Sequence, residues 1–92
     1  MSISVIALLT AEAEVIESIK PVLQDLIIKS RAESGCIRYD AFIGDNGVTF
    51  VEEWASTDIL NTHEKTEHFQ KLVHEIGKNN MNIEISFVKP LI

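Results

Sequence analysis

Ile3, Val5, Ala7 and Leu9 alternate with Ser4, Ile6 and Leu8 at the start of the chain. Both sets are apolar except at Ser4, which predicts a central strand over 3–9 covered on both sides. The period then lengthens. Ile16, Ile19, Leu23, Leu26 and Ile27 recur at three- and four-residue steps within 12–34, the spacing of one helical face. Glu12, Glu14 and Glu17 stand near the start of that run and Lys29 and Arg31 near its end, each where the helix dipole favours its charge. Thr10 is a candidate cap. Pro21 removes a backbone donor and predicts a bend. Gly35 ends the helix, since glycine adopts a left-handed backbone without strain.

Residues 36–43 return to a period of two. Ile37, Tyr39, Ala41 and Ile43 share one face, and Cys36, Arg38, Asp40 and Phe42 the other. Gly44-Asp45-Asn46-Gly47 is a strong turn signal. Residues 48–54 form the returning strand of a hairpin, with Val48, Phe50, Glu52 and Trp54 on one face. Ser56 or Thr57 caps a short helix carrying Ile59, Leu60 and His63. Thr66 caps a second, striped by Phe69, Leu72, Val73 and Ile76. Residues 77–80 stop it. Residues 82–89 form a last strand, with Ile83, Ile85 and Phe87 on one face, and Pro90 ends it. Leu91 and Ile92 make an apolar tail expected to lie on the body or on a partner.

The order βαββαβ predicts an α+β, ferredoxin-like fold: a four-stranded antiparallel sheet with two helices on one face. The other face has no cover within the chain. Placing Trp54 or Phe50 there makes it too apolar for water, so two copies packed sheet to sheet are expected, a dimeric α+β barrel.

The remaining numbers narrow the partners. Ninety-two residues make one small domain, 1–92. A net charge of −6 argues against nucleic acid and against an anionic membrane surface, both of which call for a basic face. The apolar run 3–9 is too short to span a bilayer and lacks the basic flank of a leader. The single cysteine, Cys36, rules out a disulfide within the chain and suits a reducing, cytoplasmic setting.

The stretch Ser30-Arg31-Ala32-Glu33-Ser34-Gly35-Cys36-Ile37-Arg38-Tyr39, then Glu52-Glu53-Trp54, then Leu60, His63 and His68-Phe69, and the closing Lys89-Pro90-Leu91 resemble the antibiotic biosynthesis monooxygenase domain family, most closely its quinol monooxygenase subgroup. Ser34 stands where that family usually has proline. The resemblance runs over nearly the whole chain. It implies a homodimer with a pocket between sheet and helices in each subunit. It also implies oxidation of a quinol or related aromatic by O2 without metal or flavin. The same fold carries haem-degrading members, an isomerase of a phosphorylated signal and members without known activity, so fold alone does not decide function. The haem-degrading branch uses an Asn on the first strand, absent here, and a Trp about where this chain has His63.

Oxygenation without a cofactor needs a base to make an electron-rich anion, a dry aromatic pocket and a donor for the anionic oxygen. His63 and His68 are the candidate bases. Trp54 and Phe69 can wall a flat ligand, and Tyr39 or Arg38 can donate to its oxygen. Each has a plainer reading: Trp54 as core, His63 as a cap, His68 as an exposed helix residue. His74 is expected to face solvent. Glu52 shares a face with Trp54 and needs a partner if buried, for which Arg38 across the hairpin is the candidate. No metal site is expected, because His63, His68 and His74 are five and six residues apart and miss the four-residue step of a helix-borne ligand pair. Cys36 reads as an inert thiol. Two further functions fit the same pocket: a small-molecule-binding dimer without turnover, and an isomerase of a small oxygenated metabolite.

Overall fold

The computed structural model describes residues 1–92. The elements run β1 (Ile3–Thr10), α1 (Ala13–Arg31), β2 (Cys36–Gly44), β3 (Gly47–Trp54), α2 (Thr57–Glu64), α3 (Glu67–Lys78) and β4 (Asn82–Val88). The four strands form one antiparallel sheet in the order β2-β3-β1-β4. The expected α+β, ferredoxin-like plan is therefore present, and the second crossover carries two helices, α2 and α3. β1 lies between β3 and β4, as its two apolar faces require. No helix is long and apolar enough to cross a membrane.

The ends of α1 differ from expectation. Thr10 belongs to β1, and Glu12 takes the N-cap position without a side-chain cap bond. The helix stops at Arg31 with Ala32 as C-cap, so residues 32–35 form a turn. Pro21 sits inside the continuous helix. Gly35 has φ +84, and a Cβ there would stand 2.8 Å from the Ile59 side chain. The turn after α1 thus seats directly under α2. Ser56 and Thr66 cap α2 and α3 as expected, accepting from the backbone N–H of Ile59 and Phe69.

A β-bulge between Cys36 and Arg38 shifts the β2 register. Beyond it, Tyr39, Ala41 and Ile43 pair with Glu52, Phe50 and Val48, while Cys36 pairs with Trp54. Paired residues of an antiparallel ladder point to the same side. Cys36 therefore shares the face of Tyr39, not that of Arg38, because one extra residue reverses the alternation.

The helix-covered face carries the core: Val5, Ala7, Leu9, Tyr39, Val48, Phe50 and Trp54 from the sheet, and Ile16, Ile19, Leu23, Leu26, Leu60 and Leu72 from the helices. Trp54 and Phe50 belong to this face and are fully buried, which corrects their expected place on the open one. The open face instead carries Ser4, Ile6, Leu8, Arg38, Asp40, Phe42, Thr49, Val51, Glu53, Ser86 and Val88. Leu8, Phe42 and Val88 are exposed there. Leu91 and Ile92 are fully exposed and do not lie on the body.

Candidate active site

Three backbone devices bring the polar groups of the covered face together. The turn after α1 presents Glu33, whose N–H bonds Ser30 O and whose carbonyl accepts from Cys36 N. The last turn of α2 presents His63. Thr66 then joins the two short helices: its hydroxyl donates to His63 O at 2.7 Å and accepts from Phe69 N at 3.3 Å. His68 and Phe69 follow in the first turn of α3.

Glu33 Oε2 lies 2.7 Å from His63 Nδ1 and 2.7 Å from His68 Nε2. His63 is 1 % exposed, and its other ring nitrogen, Nε2, is buried with no hydrogen-bond partner. The ring stacks on Trp54, with centroids 4.3 Å apart and planes inclined by 34°, and meets Phe69 edge-on at 5.1 Å and Tyr39 at 5.5 Å. Burial pushes the His63 pKa below the usual imidazole value, while the Glu33 hydrogen bond and charge oppose that shift.

Glu52 is the second buried polar group. It accepts from Trp54 Nε1 at 2.9 Å. The expected partner, Arg38, lies on the open face beyond the bulge and bonds Asp40 Oδ2 at 2.7 Å. Burial pushes the Glu52 carboxyl up to about 7. The Trp54 hydrogen bond pulls it down, and the charges of Glu64 and Glu33 add to the rise. Burial and the Glu52 charge also raise the Tyr39 hydroxyl well above the usual phenol value. The Cys36 thiol is raised by burial and by Glu33 and Glu52, the opposite of what an activated nucleophile needs.

A cleft opens between these groups and the sheet. Val5, Ala7 and Phe50 form its floor, Leu60, Phe69 and Leu72 its roof, and Ile83, Ile85 and Phe87 its wall on β4. Tyr39, Glu52, His63 and Glu64 are its only polar lining, and no Lys or Arg reaches it. The space open to the centre of a water-sized sphere is about 30 Å³, enough for roughly two waters. An aromatic ring enters only if the walls part. The wall on β4 is the most exposed: Ile85 and Phe87 are 49 % and 69 % exposed.

Of the residues singled out in the sequence, His63, Tyr39, Phe69 and Glu52 line the cleft. Trp54 lies behind His63 as fully buried core. His68 reaches Glu33 at the edge of the site. Arg38 is not part of it, and His74 is exposed as expected. The sequence alone assigns no role to Glu33, although it sits in the stretch that carries the family resemblance. Its link to the histidines spans 30 and 35 residues, beyond any local spacing rule. The donor atoms of Glu33, His63 and His68 lie within 4.8 Å of one another, and two imidazoles with a carboxylate are a set that zinc accepts. The two 2.7 Å separations are those of hydrogen bonds, shorter than the about 3.3 Å between ligands around a tetrahedral zinc.

Residues 2–75 match the family model described as antibiotic biosynthesis monooxygenase. The chain is 33 % identical over 69 residues to the Bacillus subtilis protein named "Putative monooxygenase YcnE", covering 72 % of each. Among solved structures, one described as an antibiotic biosynthesis monooxygenase is 29 % identical, with a TM-score of 0.87 and full coverage of both chains. PA3566 from Pseudomonas aeruginosa is 28 % identical, with a TM-score of 0.85 over 99 % of this chain and 95 % of that one. Rv0793 from Mycobacterium tuberculosis, 21 % identical with a TM-score of 0.88 over 100 % and 97 % of the two chains, shares the fold. The matched segment takes in Glu33, Glu52, His63 and His68 together, and the chain belongs to the antibiotic biosynthesis monooxygenase family.

Proposed function

We propose that this chain is a cofactor-independent monooxygenase that oxidises a small, uncharged quinol or hydroxylated aromatic with O2, with His63 as the base. The observation that carries the reading is His63 itself: a buried imidazole lining an apolar cleft, with one nitrogen bonded and the other without a partner. A guest hydroxyl that meets Nε2 can lose its proton there, and the resulting anion is electron-rich enough to reduce O2. For a quinol, one oxygen atom enters the ring. The other leaves as water, carrying two substrate hydrogens, and the product is the hydroxyquinone. Glu52, raised to about 7, is substantially protonated near neutral pH and can donate to a second guest oxygen. Phe69 and Phe87 supply flat apolar walls. Tyr39 and Trp54 hold the histidine ring from behind, and His68 acts through Glu33.

The cleft also speaks for the charge of the guest. Two glutamates line it and no cation does, so a phosphate or carboxylate would be buried uncompensated. This weighs against an isomerase of a phosphorylated metabolite. The reading includes a homodimer through the open sheet face, supported by exposed Leu8, Phe42 and Val88. Oxygen-electrode measurements over a panel of neutral quinols test the reaction: O2 uptake that His63→Ala abolishes is expected. Tight binding of the same quinols without O2 uptake would leave a binding protein instead.

A further inference from the structure

We propose that Glu33 is a positioning residue for His63: its carboxylate holds the proton on Nδ1, keeps the Nε2 lone pair free for the guest hydroxyl, and steadies the imidazolium that forms when Nε2 takes the proton. The inference rests on the reading of His63 as base and assigns to the site a residue that touches no substrate.

The geometry leads there in three steps. One oxygen, Glu33 Oε2, meets two ring nitrogens at 2.7 Å each. An oxygen that takes two such contacts is an acceptor for both, so His63 Nδ1 and His68 Nε2 each carry a proton. A neutral imidazole has one N–H, and His63 Nε2 is then the bare nitrogen, which agrees with its lack of any partner. Burial also matters. His63 is 1 % exposed and Glu33 14 % at the side chain, so the contact is shielded from water, where charge-assisted hydrogen bonds are strong. His68, 12 % exposed, holds the same oxygen from the solvent side and restricts the carboxylate. The other titratable groups facing the ring are Glu64 on its own helix and Tyr39 and Glu52 from the sheet. None of these is hydrogen-bonded to it.

The proton on Nδ1 stays there throughout. The guest O–H bond breaks, an N–H bond forms at Nε2, and the positive charge on the ring faces the Glu33 carboxylate. Without that carboxylate the ring is free to carry its proton on Nε2, where it offers the guest a donor in place of an acceptor.

Two measurements test this. Ring nitrogen-15 shifts of His63 in the substrate-free protein at neutral pH are expected to show the Nδ1–H form in wild type and a large Nε2–H population in Glu33→Ala. The pH profile of kcat/KM for an accepted quinol is the second. Glu33→Gln keeps an acceptor but removes the charge. Its plateau is expected to fall roughly 10- to 100-fold, with KM little changed and the acidic limb displaced to lower pH. Glu33→Asp is expected to recover part of the loss. An Nε2–H tautomer in wild type, or a Glu33→Gln profile that overlays wild type, would overturn the proposal. So would activity lost on dialysis against EDTA and restored by Zn2+, which would make the three side chains metal ligands. If no quinol is turned over, the function fails while the tautomer measurement still decides the role of Glu33. That measurement on wild type also stands should the variants not fold.

Discussion

The two halves of the helical layer cover the sheet in different ways. α1 turns Ile16, Ile19, Leu23, Leu26 and Ser30 into the interior and lies against β2 and α3. α3, with a comparable apolar stripe, buries only Leu72. Its Val73 is 43 % exposed, and Phe69 and Ile76 are half-buried. The strand beyond, β4, leaves Ile85 and Phe87 largely uncovered. The sealed half buries no carboxylate and no imidazole, whereas the loosely covered half holds Glu52 and His63. Incomplete packing and buried polar groups coincide, as expected where a fold has traded density for a guest site.

The comparison can be broken most directly at His63. His63→Ala is expected to lower O2-dependent turnover by about 10²- to 10⁴-fold while the protein stays folded, read by steady-state oxygen uptake beside circular dichroism. Turnover equal to wild type would remove chemistry from the loose half. Next in size is a pair of truncations. Leu26→Ala, in the sealed half, is expected to cost about 4 kcal/mol, and Leu72→Ala, beside space that already exists, about 2 kcal/mol. Urea denaturation of both measures the gap, and equal losses would mean that the halves are packed alike.

Glu52 provides a test with a sign. Its folded pKa is raised to about 7 from 4.5. Between those values the folded state binds more protons than the unfolded one, so the stability due to protonated Glu52 is complete below 4.5 and is lost as pH rises through about 7. The loss amounts to about 3 kcal/mol. Glu52→Gln does not titrate and should gain on wild type by that amount between pH 4 and pH 8. A constant difference across that range would place the carboxylate in a wetter setting than its neighbours imply. The smallest effect is expected at Phe87, which is 69 % exposed. Phe87→Ser should change the stability of a single chain by no more than about 0.5 kcal/mol, and any larger change that depends on protein concentration would point to a second copy covering β4.

Periodicity made the element order legible, because each face that meets the core repeats its apolar residues at the period of its element. Central β1, the Ser56 and Thr66 caps and exposed His74 all follow from local chemistry. The face taken by Cys36 traces to one backbone event. The bulge at 36–38 has no composition of its own: Cys36, Ile37 and Arg38 read as plain alternation. It brings Cys36 to the face of Tyr39, whereas Arg38 alternates with Tyr39 with or without it and pairs with Glu53. Glu52 instead takes the Trp54 indole, two residues away on the same strand face. Trp54 and Phe50 lie on the covered face, since a layer of helices covers whichever side carries the large apolar groups, and alternation alone does not say which side that is. The role of Glu33 is not legible in the sequence, because no rule of spacing connects a turn after α1 to two helices 30 and 35 residues on.

That extra residue in β2 also marks where this cavity can diverge and where it cannot. Deleting Ile37 would remove the bulge and nothing else: Cys36 would still stand against Trp54, Arg38 against Glu53 and Tyr39 against Glu52. Deleting Ala41 with the hairpin turn held would instead draw Arg38, Tyr39 and Asp40 one step toward that turn, so that Tyr39 trades sides with its two neighbours and a guanidinium enters a greasy, cation-free chamber. The same one-codon loss is silent at the kink and changes the class of molecule admitted four residues later.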